Sequence, residues 1–340
     1  MARSPVPAEV LATVSRTVIH VRVVSPPDRT DEVVDLLSND DAVCNIVRMD
    51  RASRRPDGDV VMADVAREDA SVIVADLRHM GVVDHGSVTL THIDTALGPD
   101  ARRAIAHAEG GAADAVVWEE VQTRTSEEAV LSWTYLTFML LAASIGVCGL
   151  LTNNPILIVG AMVVSPDFGP LAGVCVGLTS RRRGLAARSF LAIVVGFAAA
   201  AAMAWALSEI LFATGAASSS FRPDAGGLAN LIASPDVYTF LVAFCAGAAG
   251  TLSLTTAKSG ALIGVLISVT TIPAASDIGL SAASSDWDSM GGSAEQLVAN
   301  IATIIVAGSL TLVLQRVAFL RRRSAHLAKR AAKARPERLP

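Results

Sequence analysis

Apolar and polar residues alternate over short runs in the first part of this chain and then give way to long apolar stretches. Thr17 to Val24 reads as a strand, and Pro26-Pro27-Asp28 opens a helix. Ala42 to Met49 is a second strand, and a turn at Pro56-Asp57-Gly58 leads to a third over Val60 to Val65. An amphipathic helix over Asp69 to Met80 ends at Gly81, placed as a C-cap glycine, and a last strand covers Val82 to Ile93. The order βαββαβ predicts a ferredoxin-like α+β domain over residues 1–95, an antiparallel sheet with two helices on one face. Residues 96–131 read as a helical connector carrying Trp118-Glu119-Glu120, Arg124 and Glu127-Glu128.

After Leu131 six apolar stretches follow, at 132–151, 155–178, 189–212, 237–256, 259–282 and 297–319. Each is close to the roughly 20 residues that an α-helix needs to cross the hydrocarbon of a bilayer. Residues 132–320 are therefore expected to form a six-span transmembrane domain, followed by a basic tail over 321–340. Hydrophobic residues make up 52% of the chain and the mean hydropathy is +0.49, too apolar for an ordinary soluble domain.

Charge orients the spans. The stretch up to residue 130 carries 13 arginines against 23 acids, while the remainder carries 15 basic residues against 9 acids. In the second part Arg181-Arg182-Arg183 with Arg188, then Lys258, then the tail from Arg321 fall on one side of the membrane. The other side has Arg222 beside Asp224, Asp236, Asp286, Asp288 and Glu295. Basic loops stay in the cytoplasm, so both termini and the soluble domain are expected there. An even number of spans requires the same. No secretory signal is expected, because Val18 to Val24 is interrupted by His20 and Arg22.

Two spans are interrupted. Asn154 to Leu178 contains Ser165-Pro166-Asp167-Phe168-Gly169-Pro170 near its middle, and Ser259 to Ala282 contains Pro273 and Asp277-Ile278-Gly279. Proline removes a backbone donor, and freed backbone groups are tolerated at membrane depth only inside protein or beside water. An acid there costs a few kcal/mol on insertion scales and marks a functional candidate. Each broken span is second in a group of three, and with Gly160 laid over Gly264 the prolines Pro170 and Pro273 coincide to within one residue. A duplicated three-span unit must enter the membrane upside down, which predicts a 3+3 inverted repeat with its binding site at the two breaks. Asp167 and Asp277 are the expected contacts for a cation or proton, and Ser165, Pro166, Gly169, Pro170, Pro273 and Gly279 shape the breaks. Asn300, with Ser253, Thr255 and Thr256, can line a polar path or satisfy neighbouring backbone.

Small residues also serve close helix contact. Ser165, Gly169, Gly173 and Gly177 recur every fourth residue, and Gly260 with Gly264 and Ala243 with Gly247 make similar pairs. Asn153 and Asn154 read as caps of the second span. Cys44, Cys148, Cys175 and Cys245 lack metal-ligand or redox spacing and read as small buried hydrophobes. His20, His79, His85, His92 and His107 form no pair at metal-ligand spacing, and no glycine-rich phosphate loop follows a strand. No nucleophile and base come together in the pattern, so neither an enzyme nor a cofactor is expected.

The segments NNPILIVGAMVVSPDFGPLAGVCVGL, GALIGVLISVTTIPAASDIG and QLVANIATIIVAG, with the basic loop at Arg188-Ser189, resemble the bacterial and archaeal membrane proteins grouped as domain of unknown function 389. The likeness covers roughly residues 130–320 and rests on the pattern IxGAMxxSPxxGP followed by a proline-bearing span. It implies a polytopic membrane fold. This chain departs from the family's pattern in carrying an acid at Asp167, where the family is often apolar, and Pro273-Ala274, where it often has two prolines.

The sequence therefore predicts a homo-oligomeric protein of the bacterial inner membrane. Its expected activity is moving a small solute or ion, with the cytoplasmic domain regulating or assembling it. The alternative is a membrane-anchored sensor or scaffold whose cytoplasmic domain binds a ligand or partner. Lipid is an expected partner, including anionic lipid at the tail from Arg321, and nucleic acid is not.

Overall fold

The computed structural model describes residues 15–95, 98–107, 118–217, 236–255 and 271–333. The chain divides into two compact units, one of Met1–Glu119, Thr255–Lys258 and Ala318–Pro340, the other of Glu120–Leu254 and Ser259–Val317.

The first unit contains β1 (Ser15–Ser25), α1 (Thr30–Ser38), β2 (Val43–Arg54), β3 (Asp57–Ala66), α2 (Arg67–His79), a short α3 (Val82–His85), β4 (Ser87–Thr95) and α4 (Pro99–His107). Its four strands form one antiparallel sheet in the order β2-β3-β1-β4, with Val21 opposite Ala63 on one side and Leu90 on the other. Strand side chains alternate between faces. One face therefore buries Ile19, Val21, Val23, Val61, Ala63 and Val65 against Val33 and Leu37 of α1 and Ala70, Ile73 and Leu77 of α2.

Gly81 follows α2 in the left-handed region, with φ +70°, as a C-cap glycine does. The last strand starts later than the alternation predicts. Val82 to His85 make a helical turn that buries Val82, and a Cβ on Gly86 would lie 1.9 Å from the Val24 carbonyl oxygen, so strand pairing begins only at Ser87. The β2–β3 ladder is interrupted by irregularities between Cys44 and Val47 and between Met49 and Ser53. At the second, Arg51 has φ +51°, and its freed N–H donates to Asp59 Oδ1 at 2.7 Å. The expected connector contains α4, whose Ala101 and Ala104 meet Cys44, and α5 (Trp118–Glu128). Residues 108–117 lie outside the described residues.

The second unit is helical and contains α6 (Trp133–Leu151), α7 (Pro155–Val164), α8 (Phe168–Thr179), α9 (Arg183–Ala213), α10 (Val237–Thr255) up to Leu254, α11 (Ile272–Ala283) and α12 (Trp287–Lys333) up to Val317. Helices α6, α9, α10 and the Trp287–Leu320 part of α12 are long and apolar enough to cross a membrane. The pair α7 and α8, bent by 53°, makes a fifth crossing if taken as one span. The remaining stretch, 259–282, is described only from Thr271 onward. This is a membrane-spanning protein. Its helices bury Met139, Val147, Leu171, Ala192, Phe197, Ala204, Ile272 and Ala275 in one core. They turn Ile156, Phe190, Leu191, Trp205, Val298 and Val306 outward, as lipid rather than water would allow.

Glycine sets the spacing of this bundle. A Cβ on Gly279 of α11 would lie 2.5 Å from the Ala201 carbonyl oxygen and the Trp205 nitrogen of α9. One on Gly146 of α6 would lie 2.2 Å from Ser276 Oγ of α11. Gly173 and Gly177 of α8 meet Ser189 and Ala186 of α9, and Gly247 of α10 meets the backbone of Ile304. Gly260 and Gly264 lie outside the described residues.

Candidate functional site

The first break is built by its sequence. Asn154 caps α7, its Oδ1 accepting the Ile156 N–H at 2.9 Å, and Pro155 occupies the first turn. The helix ends at Val164. Ser165 is extended, with its hydroxyl 3.8 Å from Met139 Sδ, and Pro166 has no N–H to continue the ladder. The chain resumes helix at Phe168 with Asp167 as N-cap. Gly169 and Pro170 lie in the first turn of α8, where a Cβ on Gly169 would meet the Glu128 carbonyl oxygen at 2.7 Å.

Asp167 is fully buried and does not cap its own helix. Its Oδ2 accepts a hydrogen bond from Thr271 Oγ1 at 2.5 Å. Thr271 is itself the N-cap of α11, whose first turn holds Pro273, and its hydroxyl does not cap that helix either. Two helix N-termini from segments 104 residues apart thus meet through their N-cap side chains. Each N-terminus carries about half a positive charge, so both favour a carboxylate at this point. The Tyr135 hydroxyl, which donates to the Ala192 carbonyl at 3.1 Å, lies within electrostatic reach of Asp167.

Asp277 has different surroundings. It is fully buried in the interior of α11, where its Oδ2 accepts from Ser293 Oγ of α12 at 2.6 Å and from Ser281 Oγ at 3.4 Å. Its Oδ1 has no hydrogen-bond partner among the described residues. The helix runs without interruption from Ile272 to Ala283, so Gly279 does not belong to a break as its sequence context suggested. It is instead a point of close approach to α9. Pro273 sits where the helix begins, a position that tolerates a missing donor.

On α12, Ser293, Gln296 and Asn300 are buried at the i, i+3, i+7 spacing of one helix face. Ser253 is half-buried and Thr255 buried, while Thr256 lies outside the described residues. Among the described residues, no group of three or more His, Cys, Asp or Glu is arranged to hold a metal ion. Cys44 and Cys175 are buried free thiols, whereas Cys148 and Cys245 are exposed on the bundle surface.

Residues 162–306 match the family model described as a domain of unknown function (DUF389). That segment is a DUF389 domain. No curated protein and no solved structure matches the chain. The DUF389 segment begins inside α7 and ends inside α12, so it contains Asp167, Thr271, Asp277, Gln296 and Asn300. Sequence reasoning missed Thr271, Ser281, Ser293 and Gln296 of the DUF389 segment. A hydroxyl two residues before Pro273 and the 3–4 spacing of Ser293, Gln296 and Asn300 were the available signals.

Proposed function

We propose that the protein moves a small solute or ion across the cytoplasmic membrane through the junction where α8 and α11 begin. The observation that carries this reading is the hydrogen bond between Asp167 and Thr271, which joins two half-helix N-termini inside an apolar bundle. Interrupted helices at corresponding places in two halves, with their polar ends turned inward, are the arrangement that secondary transporters use near the bilayer midplane.

On this reading the membrane part has six spans in a 3+3 inverted repeat: α6, the α7–α8 pair and α9, then α10, the stretch ending in α11, and α12. The similar placement of Pro170 and Pro273 in the first turns of α8 and α11 supports it. Both termini are cytoplasmic. The first unit is a ferredoxin-like regulatory or assembly domain, a reading supported by its sheet order β2-β3-β1-β4 and its two helices on one face. The functional protein is a homo-oligomer.

The test is electrical. Purified protein in liposomes on a solid support should give transient currents on jumps of pH, sodium, potassium or a panel of small organic ions. Asp167→Asn should lose the current while remaining folded. An undiminished current in a folded variant removes Asp167 from the path. Silence of the wild type across the panel favours a sensor or scaffold.

A further inference from the structure

Two buried oxygen acceptors in the last third of the DUF389 segment have no donor among the described residues. Asp277 Oδ1 and Gln296 Oε1 both lack a hydrogen-bond partner among the described residues, and their side chains are 0% and 6% exposed. Such groups are normally satisfied, because an unpaired acceptor in an apolar interior costs on the order of 1–3 kcal/mol. The neighbouring hydroxyls cannot help. Ser293 and Ser281 both direct their protons to the other carboxylate oxygen, Oδ2.

The two acceptors belong together. Ser293 Oγ is 2.6 Å from Asp277, and Gln296 follows Ser293 by one turn on the same face of α12. Among the described residues, neighbouring elements bring no cation to this point. Helix α6 offers Gly146 and Ala143 to Ser276, α9 offers Ala201 and Ala204 to Gly279, and Ile158 and Met162 of α7 cluster with Leu280. The titratable groups of these elements do not neutralise Asp277. Glu209, Asp288, Glu295 and Cys148 are exposed, Tyr135 is engaged with Ala192, and Asp286 in the turn before α12 adds like charge.

We propose that Asp277 and Gln296 form a proton site in which Asp277 carries a proton on Oδ1 and donates it to Gln296 Oε1. One proton converts an acceptor into a donor, satisfies both stranded oxygens with a single hydrogen bond and removes an unpaired buried charge. The proton comes from water and returns to it, so no other bond changes. A metal cation would need several further oxygen ligands, and Ser281 and Ser293 already face Oδ2. This inference rests on the transport reading in one respect: if the protein moves a solute, the proton on Asp277 is its coupling ion.

Infrared difference spectra of the purified full chain, recorded as pH is stepped from acid to alkaline, test it without any flux measurement. The wild type should show the carbonyl band of a protonated carboxylic acid that is missing in Asp277→Asn and persists in Asp167→Asn. Gln296→Leu, which removes the acceptor at similar volume, should move that band to the higher frequency of a non-bonded acid. The second variant answers the question even if Asp277→Asn does not fold. The proposal is overturned if no band is lost in Asp277→Asn and none moves in Gln296→Leu. It is equally overturned if Asp277 is a carboxylate whose signal responds to sodium chloride rather than pH. Because protonation is read directly, a negative result leaves the transport reading standing, and absent transport leaves the proton site standing.

Discussion

Asp167 and Thr271 each stand at the N-cap of a short helix, and each turns its side chain away from that helix to bond the other at 2.5 Å. A capping residue normally satisfies its own helix's free N–H groups. Here the caps are spent on one another, so neither helix has its free N–H groups met by its own N-cap side chain. Thr271→Val keeps the shape and removes the donor. It should lower stability by about 1–3 kcal/mol, the worth of one hydrogen bond to a buried carboxylate, and this is measurable as a shift in detergent-solubilised thermal unfolding. It should also alter the currents of the reconstituted protein, whereas a purely structural pair would change stability alone.

Close packing at Gly279 gives a second expectation. A methyl group there has no room against the Ala201 and Trp205 backbone, so Gly279→Ala should destabilise the bundle by about 1–3 kcal/mol. Gly160 of α7 has nothing within 4 Å of where its Cβ would be, and Gly160→Ala should leave the melting temperature unchanged or slightly raised. Equal effects of the two substitutions would contradict the packing described for α11.

The first unit has an acid-sensitive joint. The Arg51 N–H, followed by the Thr30 hydroxyl, holds the Asp59 carboxyl below the ordinary carboxylate range. A group with a lowered folded pKa stabilises above its unfolded value, about 3.9, and loses that contribution as pH falls through the folded value. Protection of the amides in β2 and β3, taken relative to intrinsic exchange at each pH, should therefore fall below about pH 4. In Asp59→Asn the protection should be lower at neutral pH and flatter with acid.

Much of this architecture was legible. The strands came from alternation and four of the six expected spans from length, because burial on one face and immersion in lipid each impose a period or a length on the order of residues. The pairing of Asp167 with Thr271 was not, since nothing local encodes a contact between residues 104 positions apart. Gly279 was misread for a physical reason: beside a proline and an acid, a glycine can mark either a broken helix or a tight crossing, and only the neighbouring backbone of α9 tells them apart. Ser293 stands before the sixth apolar stretch, and nothing local in the sequence ties it to Asp277 one helix away.

Sidedness can be checked directly. With the four native cysteines replaced, Arg182→Cys and Ser285→Cys should react with a membrane-impermeant thiol reagent from opposite faces of sealed vesicles, Arg182 from the cytoplasmic one. Labelling of both from one face would remove the six-span arrangement.

The glycine contacts also limit how the protein can move. With Gly279 seated on the backbone of α9 and Gly146 seated on the Ser276 side chain, helices α6, α9 and α11 are geared together, because sliding α11 past α9 would bring its main chain against that of α9 and sliding it past α6 would displace Ser276. Among the described residues, compliance is found at the three residues between α7 and α8, Ser165, Pro166 and Asp167, where no helical ladder crosses the bend. A working cycle in this protein would therefore flex at that joint and carry the glycine-locked helices as a single piece.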